Sequence, residues 1–163
     1  MNGGYFQLDR TPLGLAVRKG VEIHPLEHAK LLSGVLSVTP TAITFQRTSA
    51  FKASPAVREA LQAGPFLVER GKPIASLEAT KVAARTAVFQ DAKGRCGFLI
   101  CKSTTLAGMA EILSTPSLFP EGGIVRALNL DGGTSTALWV RGSPPFYARE
   151  WKTVRTYLAI VPR

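Results

Sequence analysis

The polar chemistry of this chain is concentrated in one stretch, where an apolar run from Ile124 to Leu130, broken by Arg126 and Asn129, ends at Asp131. Gly132 and Gly133 follow, then Thr134, Ser135 and Thr136, before the apolar run Ala137-Leu138-Trp139-Val140. A carboxylate at the end of a buried strand, followed by backbone bare of side chains, suits a polar or charged ligand. Glycine lets the main chain come close, and successive N–H groups in such a turn form an anion-binding concavity. Asp-Gly between two apolar runs is also the signature of a plain type I′ hairpin turn. The second candidate is Arg85, a guanidinium inside an otherwise apolar strand pattern. It is either an edge residue snorkelling to solvent or a cation placed to grip an anion through two parallel hydrogen bonds.

The elements that must position these residues follow from periodicity and punctuation. Leu13 to Lys19 and Val21 to His24 read as a hairpin around Gly20, and Val35 to Val38 with Ala42 to Gln46 as a second strand pair. Ser54-Pro55 is a helix start, an N-cap hydroxyl with proline at the first position, and predicts a short helix over Ala56 to Ala63 ended by Gly64. Pro65 to Arg70 is a strand, Gly71-Lys72-Pro73 a turn, and Ile74 to Leu77 an extension of the sheet. Val82 to Gln90 and Arg95 to Lys102 pair across the turn Asp91 to Gly94. Thr104 or Thr105 caps a helix over Leu106 to Leu113, with Leu106, Met109, Ala110 and Leu113 on one face. Pro116 to Gly123 is loop, Ile124 to Asp131 and Ala137 to Arg141 are strands, and Val154 to Val161 is a last strand. The sum is an α+β domain: a mixed, largely antiparallel sheet with two or three short helices.

With 163 residues, 45% of them hydrophobic and 19% charged, a single domain with a real core is expected. No run approaches the roughly eighteen apolar residues of a membrane-spanning helix. A turn-like Asn2-Gly3-Gly4 directly after Met1 resembles the middle of a domain, so a preceding strand has been removed or Met1 is internal to a longer precursor. A formal charge of +9 and a pI near 10.1 favour anionic partners. Specific nucleic-acid binding is not expected, because the Lys and Arg residues are scattered singly and no recognition motif appears. Cys96 and Cys101, five apart in one strand, point to opposite faces and stay free thiols. His24 and His28 flank Pro25, which argues against a shared helical face, and no Cys or clustered carboxylate completes a metal site.

Several segments together resemble the phosphodiester glycosidase family. Asn2-Gly3-Gly4-Tyr5-Phe6 is similar to its Asn-Gly-Gly-aromatic-Phe motif, and Gly64-Pro65-Phe66-Leu67-Val68 with Gly71 to its Gly-Pro-x-Leu-Val segment. Ala84-Arg85-Thr86-Ala87 with Asp91 and Gly94 resembles its arginine strand and turn, Thr105 to Leu113 its following helix. Asn129-Leu130-Asp131-Gly132-Gly133-Thr134-Ser135-Thr136 is the most specific match, with Thr134 where a third glycine is common. The resemblance implies hydrolysis of a sugar-1-phosphodiester, of the N-acetylglucosamine type, to free sugar and phosphomonoester. It implies Asp131 as base, nucleophile or stabiliser of an oxocarbenium-like centre, and Arg85 as the phosphate-binding cation. Substrate contacts then fall to Asn2, Gly3, Gly4, Asn129, Gly132, Gly133, Thr134 and Ser135, with Asn2 and Asn129 meeting sugar hydroxyls or orienting Asp131. Glu69 and Glu78 are the candidates for a second carboxylate, although each reads first as a solvated loop charge. No cofactor is required, and one carboxylate makes a poor Ca²⁺ or Mg²⁺ site. The resemblance also implies an extracytoplasmic, cell-envelope setting. The competing reading is a non-catalytic module that holds a phosphate or acidic glycan in the same cradle without turnover.

Overall fold

The computed structural model of the chain describes residues 1–119 and 122–161. Five strands, β1 (Ala16–Arg18), β2 (Val21–His24), β3 (Gly34–Val38), β4 (Ile43–Arg47) and β5 (Glu59–Ala63), form a sheet in the order β2-β1-β5-β3-β4. A second sheet is built from β6 (Phe66–Glu69), β7 (Lys72–Pro73), β8 (Ala83–Asp91), β9 (Cys96–Thr104) and β10 (Ile124–Asn129), in the order β7-β6-β10-β8-β9. β11 (Leu138–Val140) and β12 (Phe146–Ala148) make a separate two-stranded ribbon. Every pairing described between these strands is antiparallel.

The two sheets pack face to face, and helix α1 (Leu106–Ser114) covers the far side of the second. Alternation along each strand sorts its side chains between these layers. Val88, Leu128 and Leu130 point to the first sheet, where they meet Leu36, Phe45 and Ala63. Ala87 and Ala127 point the other way, onto Met109, Ala110 and Leu113 of α1. The sheets approach closely at Gly34, where a Cβ would lie 2.5 Å from Leu128 Cδ1, so that position admits no side chain. Thr105 caps α1 by accepting from Gly108 N, as its sequence predicts. Cys96 and Cys101 are free and pack on opposite faces of β9, and burial raises both thiol pKa values.

Four expectations are corrected. Instead of one mixed sheet with two or three helices there are two antiparallel sheets, with α1 the one α-helix among the described residues and 3-10 turns elsewhere. Ala56 to Ala63 is not helical: Ser54 Oγ caps only a turn by accepting from Ala56 N, and the chain enters β5. Ala60, Leu61 and Ala63 have good helix propensity, but β5 is a central strand hydrogen-bonded to β1 and β3, and that pairing overrides propensity. Ile74 to Leu77 does not extend the sheet, since β7 is formed by the turn residues Lys72 and Pro73 themselves. Val154 to Val161 is not a regular strand. Among the described residues its backbone pairs with the N-terminal segment, through the Asn2–Tyr157 bridge and the Met1–Leu158 backbone bonds, and Leu158 packs on the core between the sheets. The Pro116–Gly123 loop contains a 3-10 turn at Pro116–Leu118, and its residues 120 and 121 lie outside the described residues.

Gln62 on β5 is fully buried and ties three loops to the first sheet. Its Oε1 accepts from Leu15 N (2.8 Å) and Glu27 N (3.0 Å), and its Nε2 donates to Glu27 O (2.6 Å) and Leu32 O (3.0 Å). Gln62→Leu keeps the volume but leaves the Leu15 and Glu27 amides without an acceptor. It is expected to lower the unfolding free energy by about 3 kcal/mol, measured by urea denaturation.

Candidate active site

Register brings the two leading candidates together. β10 pairs with β8 so that Asn129 lies opposite Ala87, and Leu130 N donates to Thr86 O (2.9 Å). Carried two residues further, the same register sets Asp131 opposite Arg85. Arg85, within β8, shares the parity of Ala87, whose side chain packs toward α1.

Asp131 is half-buried at the point where β10 leaves the sheet. Its Oδ1 accepts from Gly132 N (2.9 Å), and the Ser135 hydroxyl also bonds the carboxylate. Desolvation outweighs these two bonds and holds its pKa above the ordinary carboxylate value. The turn after it is not the type I′ hairpin allowed by its sequence. It is a 3-10 turn, Gly133–Ser135, that carries the chain out of the second sheet into the ribbon. Gly132 is required by a close approach: a Cβ there would lie 2.8 Å from Ala84 O on β8. Gly132 and Ser135, read from sequence as donors to a bound anion, therefore serve the carboxylate itself. Gly133 and the exposed Thr134 are the parts of this turn that face outward, and Thr134 O accepts from Trp151 N and Lys152 N.

Arg85 is neither an edge residue nor a free surface cation. Its side chain is only 13% exposed, and it donates from Nη2 to Lys81 O (2.6 Å) and from Nε to Thr104 O (3.3 Å). The carboxylate of Glu78 stands 3.8 Å away. Glu78 Oε1 is taken by Thr80 and Lys81, which hold its pKa low through the Thr80 hydroxyl bond and the Lys81 amide bond, whereas Oε2 is buried without a hydrogen bond. Of the two carboxylates considered as a second member, Glu78 is thus beside Arg85. Glu69 is not at this site. It pairs in register with Arg126, about 17 Å along β10 from Asp131 at the usual strand rise, and is held by Arg47 through two bonds of 3.2 and 2.8 Å.

Asn129 and Asn2 sit behind the pair. Asn129 Nδ2 donates to Tyr5 Oη (2.7 Å) and Gly64 O (3.0 Å), and its Oδ1 is a buried acceptor with no partner. Tyr5 was not singled out from sequence. Its hydroxyl donates to Gly64 O (2.7 Å), and burial, reinforced by the charge of Asp131, raises its pKa strongly. The signal available was an aromatic alcohol directly after Gly-Gly in a segment that must be buried. Asn2 is fully buried, so it orients rather than touches: its Nδ2 donates to Asp131 O (2.6 Å) and its Oδ1 accepts from Thr86 Oγ1 (3.1 Å) and Ala137 N (3.0 Å). Gly3 and Gly4 are buried too. Gly3 O accepts from Asp131 N (3.1 Å), and a Cβ on Gly4 would lie 2.8 Å from Leu61 Cδ1. His24 lies on β2 in the other sheet, and among the described residues no three His, Cys, Asp or Glu side chains gather.

A family profile described as phosphodiester glycosidase matches residues 1–161. The fold is similar to a solved zebrafish structure, the N-acetylglucosamine-1-phosphodiester alpha-N-acetylglucosaminidase catalytic domain auto-inhibited by its pro-peptide. That likeness has a TM-score of 0.63 and 17% identity, over 83% of this chain and 51% of that one. A hypothetical protein from Synechocystis is also similar, at a TM-score of 0.49 and 17% identity, over 83% of this chain and 46% of that one. The chain thus spans about half the length of these solved chains. No curated protein sequence matches it.

The raised pKa of Asp131 has a consequence for stability. Folding favours its protonated form, so the contribution is complete below the ordinary carboxylate range and is lost as pH rises through the raised value. Asp131→Asn fixes the side chain neutral and keeps an acceptor for Gly132 N. Thermal melts are expected to show it more stable than the wild type at pH 7 and indistinguishable from it near pH 3.

Proposed function

Because the chain belongs to the phosphodiester glycosidase family, we propose that it hydrolyses a sugar-1-phosphodiester at the anomeric carbon. The observation that supports this reading is that β10 pairs with β8 up to Asn129 opposite Ala87, and Gly132, directly after Asp131, lies against the Ala84 and Arg85 backbone. Water adds to the anomeric carbon, the bond from that carbon to the phosphate oxygen breaks, and the products are the free sugar and a phosphomonoester. The phosphate is already an acidic leaving group, so it needs a cation more than a proton donor. Arg85 supplies that charge, and its backbone-bonded guanidinium does not have to reorganise to do so. Asp131 takes the proton of the attacking water or bonds the anomeric carbon directly. Its raised pKa makes it a stronger base than an exposed aspartate.

Glu78, beside Arg85, sets the guanidinium rather than acting on the sugar in this scheme. Asn129 is buried like Asn2, so in this scheme it supports the site from behind, through Tyr5 and Gly64 O.

Turnover of UDP-N-acetylglucosamine or an aryl N-acetylglucosamine phosphodiester tests the proposal. Asp131→Asn is expected to lower kcat by about 10³-fold with the fold intact. Arg85→Ala should lower kcat/KM by about 10²-fold or more. The acid limb of the wild-type pH–rate profile should lie above the ordinary carboxylate pKa, because ionised Asp131 is the active form. Saturable binding with no turnover, unchanged in Asp131→Asn, would assign the site to a binding module instead.

A further inference from the structure

The ribbon β11–β12 carries an unusual load of exposed aromatic surface. Trp139 is 56% exposed, Tyr147 54%, Phe146 55% and Trp151, just beyond the ribbon, 89%. Trp139 and Tyr147 are directly opposed in the ladder, so their rings share one face of the ribbon. That face is one wall of a pocket of about 270 Å³. Tyr157, Asn2, Ala137 and Glu150 line it as well. Glu150 Oε2 accepts from the Tyr147 hydroxyl (3.0 Å), and the carboxylate is also bonded by its own backbone amide.

From this arrangement we propose that the pocket is a carbohydrate subsite, separate from the Asp131 centre, that takes one neutral pyranose of a glycan. A pyranose has an apolar C–H face and a rim of hydroxyls. The first matches the aromatic walls, and the second matches the phenol oxygens and the Glu150 carboxylate. Mostly apolar walls with a few placed polar groups are the usual make-up of a small-ligand site. The charged side chain lining this pocket is acidic, in a protein whose formal charge is +9, so a phosphate or carboxylate is disfavoured there. The pocket is also mechanically tied to the other site. Asn2, which lines it, donates to Asp131 O, and Thr134 of the glycine turn accepts from the amides of Trp151 and Lys152. A sugar seated here would lie on the far side of the Asn2 segment from the acid, as a neighbouring residue of a longer substrate. That last assignment rests on the glycosidase reading, while binding itself does not.

The chain's two tryptophans, Trp139 and Trp151, both sit at this ribbon, so intrinsic fluorescence reports on it directly. Titrating the full chain with the neutral β-1,4-linked trimer of N-acetylglucosamine is expected to give a saturable change, half complete at about 1 mM. By calorimetry, Trp139→Ala and Tyr147→Ala should each weaken binding about tenfold or more. Glu150→Gln, a change at a half-buried position that leaves the rings in place, should weaken it several-fold. Circular dichroism confirms that each variant is folded, and Asp131→Asn should bind like the wild type. The proposal is overturned if no saturable signal appears up to about 20 mM, or if the Trp139 and Tyr147 variants bind unchanged. It is equally overturned if inorganic phosphate competes for the pocket, or if the fluorescence follows protein concentration alone, as when a second copy covers the face. Hydrolysis without trimer binding removes this inference only. Binding without hydrolysis keeps it and removes the glycosidase reading.

Discussion

The side-chain amide of Asn2 is fully buried, with its nitrogen on the carbonyl of Asp131 and its oxygen between the Thr86 hydroxyl and the Ala137 amide. These three partners belong to the end of β10, the middle of β8 and the entry to the ribbon, and Thr86 joins the same elements through its bonds with Leu130 N and Thr136 Oγ1. An unsatisfied buried polar group costs about 1–3 kcal/mol, so the amide, its three partners and the chain segments behind them hold one another in place. Gly3 and Gly4 extend the same clasp, because only residues without side chains let the N-terminal segment lie between Thr156 and Leu61. The position of Asp131 is therefore a property of the N-terminal segment as much as of β10.

Around that clasp the polar groups fall into two opposing electrostatic settings. On the acid's side, desolvation works against Gly132 N and the Ser135 hydroxyl and wins, which leaves Asp131 more basic than a surface carboxylate. On the cation's side, Arg85 is sunk among the carbonyls of Lys81 and Thr104 with Glu78 at 3.8 Å, a setting that fixes the guanidinium in place. Acid and base chemistry on one sheet face needs such a division. The overall charge of +9 adds a general attraction for anions but does not locate a site, since the basic residues are dispersed.

The ribbon extends this arrangement outward. It is joined to neither five-stranded sheet, yet its base is fastened through Ala137 to Asn2 and through Trp151 and Lys152 to Thr134. Exposed aromatic groups on a small, tethered element are expensive to leave in water unless something covers them. Their position next to the clasp makes the glycine turn a junction between a charged centre and an aromatic wall.

Much of this was legible from residues alone where the signal is local. Alternating apolar runs with Gly and Pro punctuation marked most strands. Thr105 before Leu106 marked the helix, and Asp131 before two glycines marked the end of β10. The resemblance of several ordered motifs pointed to the family that matches residues 1–161. What failed was whatever depends on partners far away in sequence. Ala60 to Ala63 has helical propensity, and became a strand because β1 and β3 flank it. Val154 to Val161 has strand composition, and stays irregular because only Met1 to Gly3 pairs with it. The division of labour within the site is tertiary for the same reason: Asn2, Gly132 and Ser135 look like ligand donors in one dimension. Their hydrogen bonds are spent on Asp131 once β8, β10 and the N-terminal segment meet, because a buried donor must take the acceptor that packing brings to it.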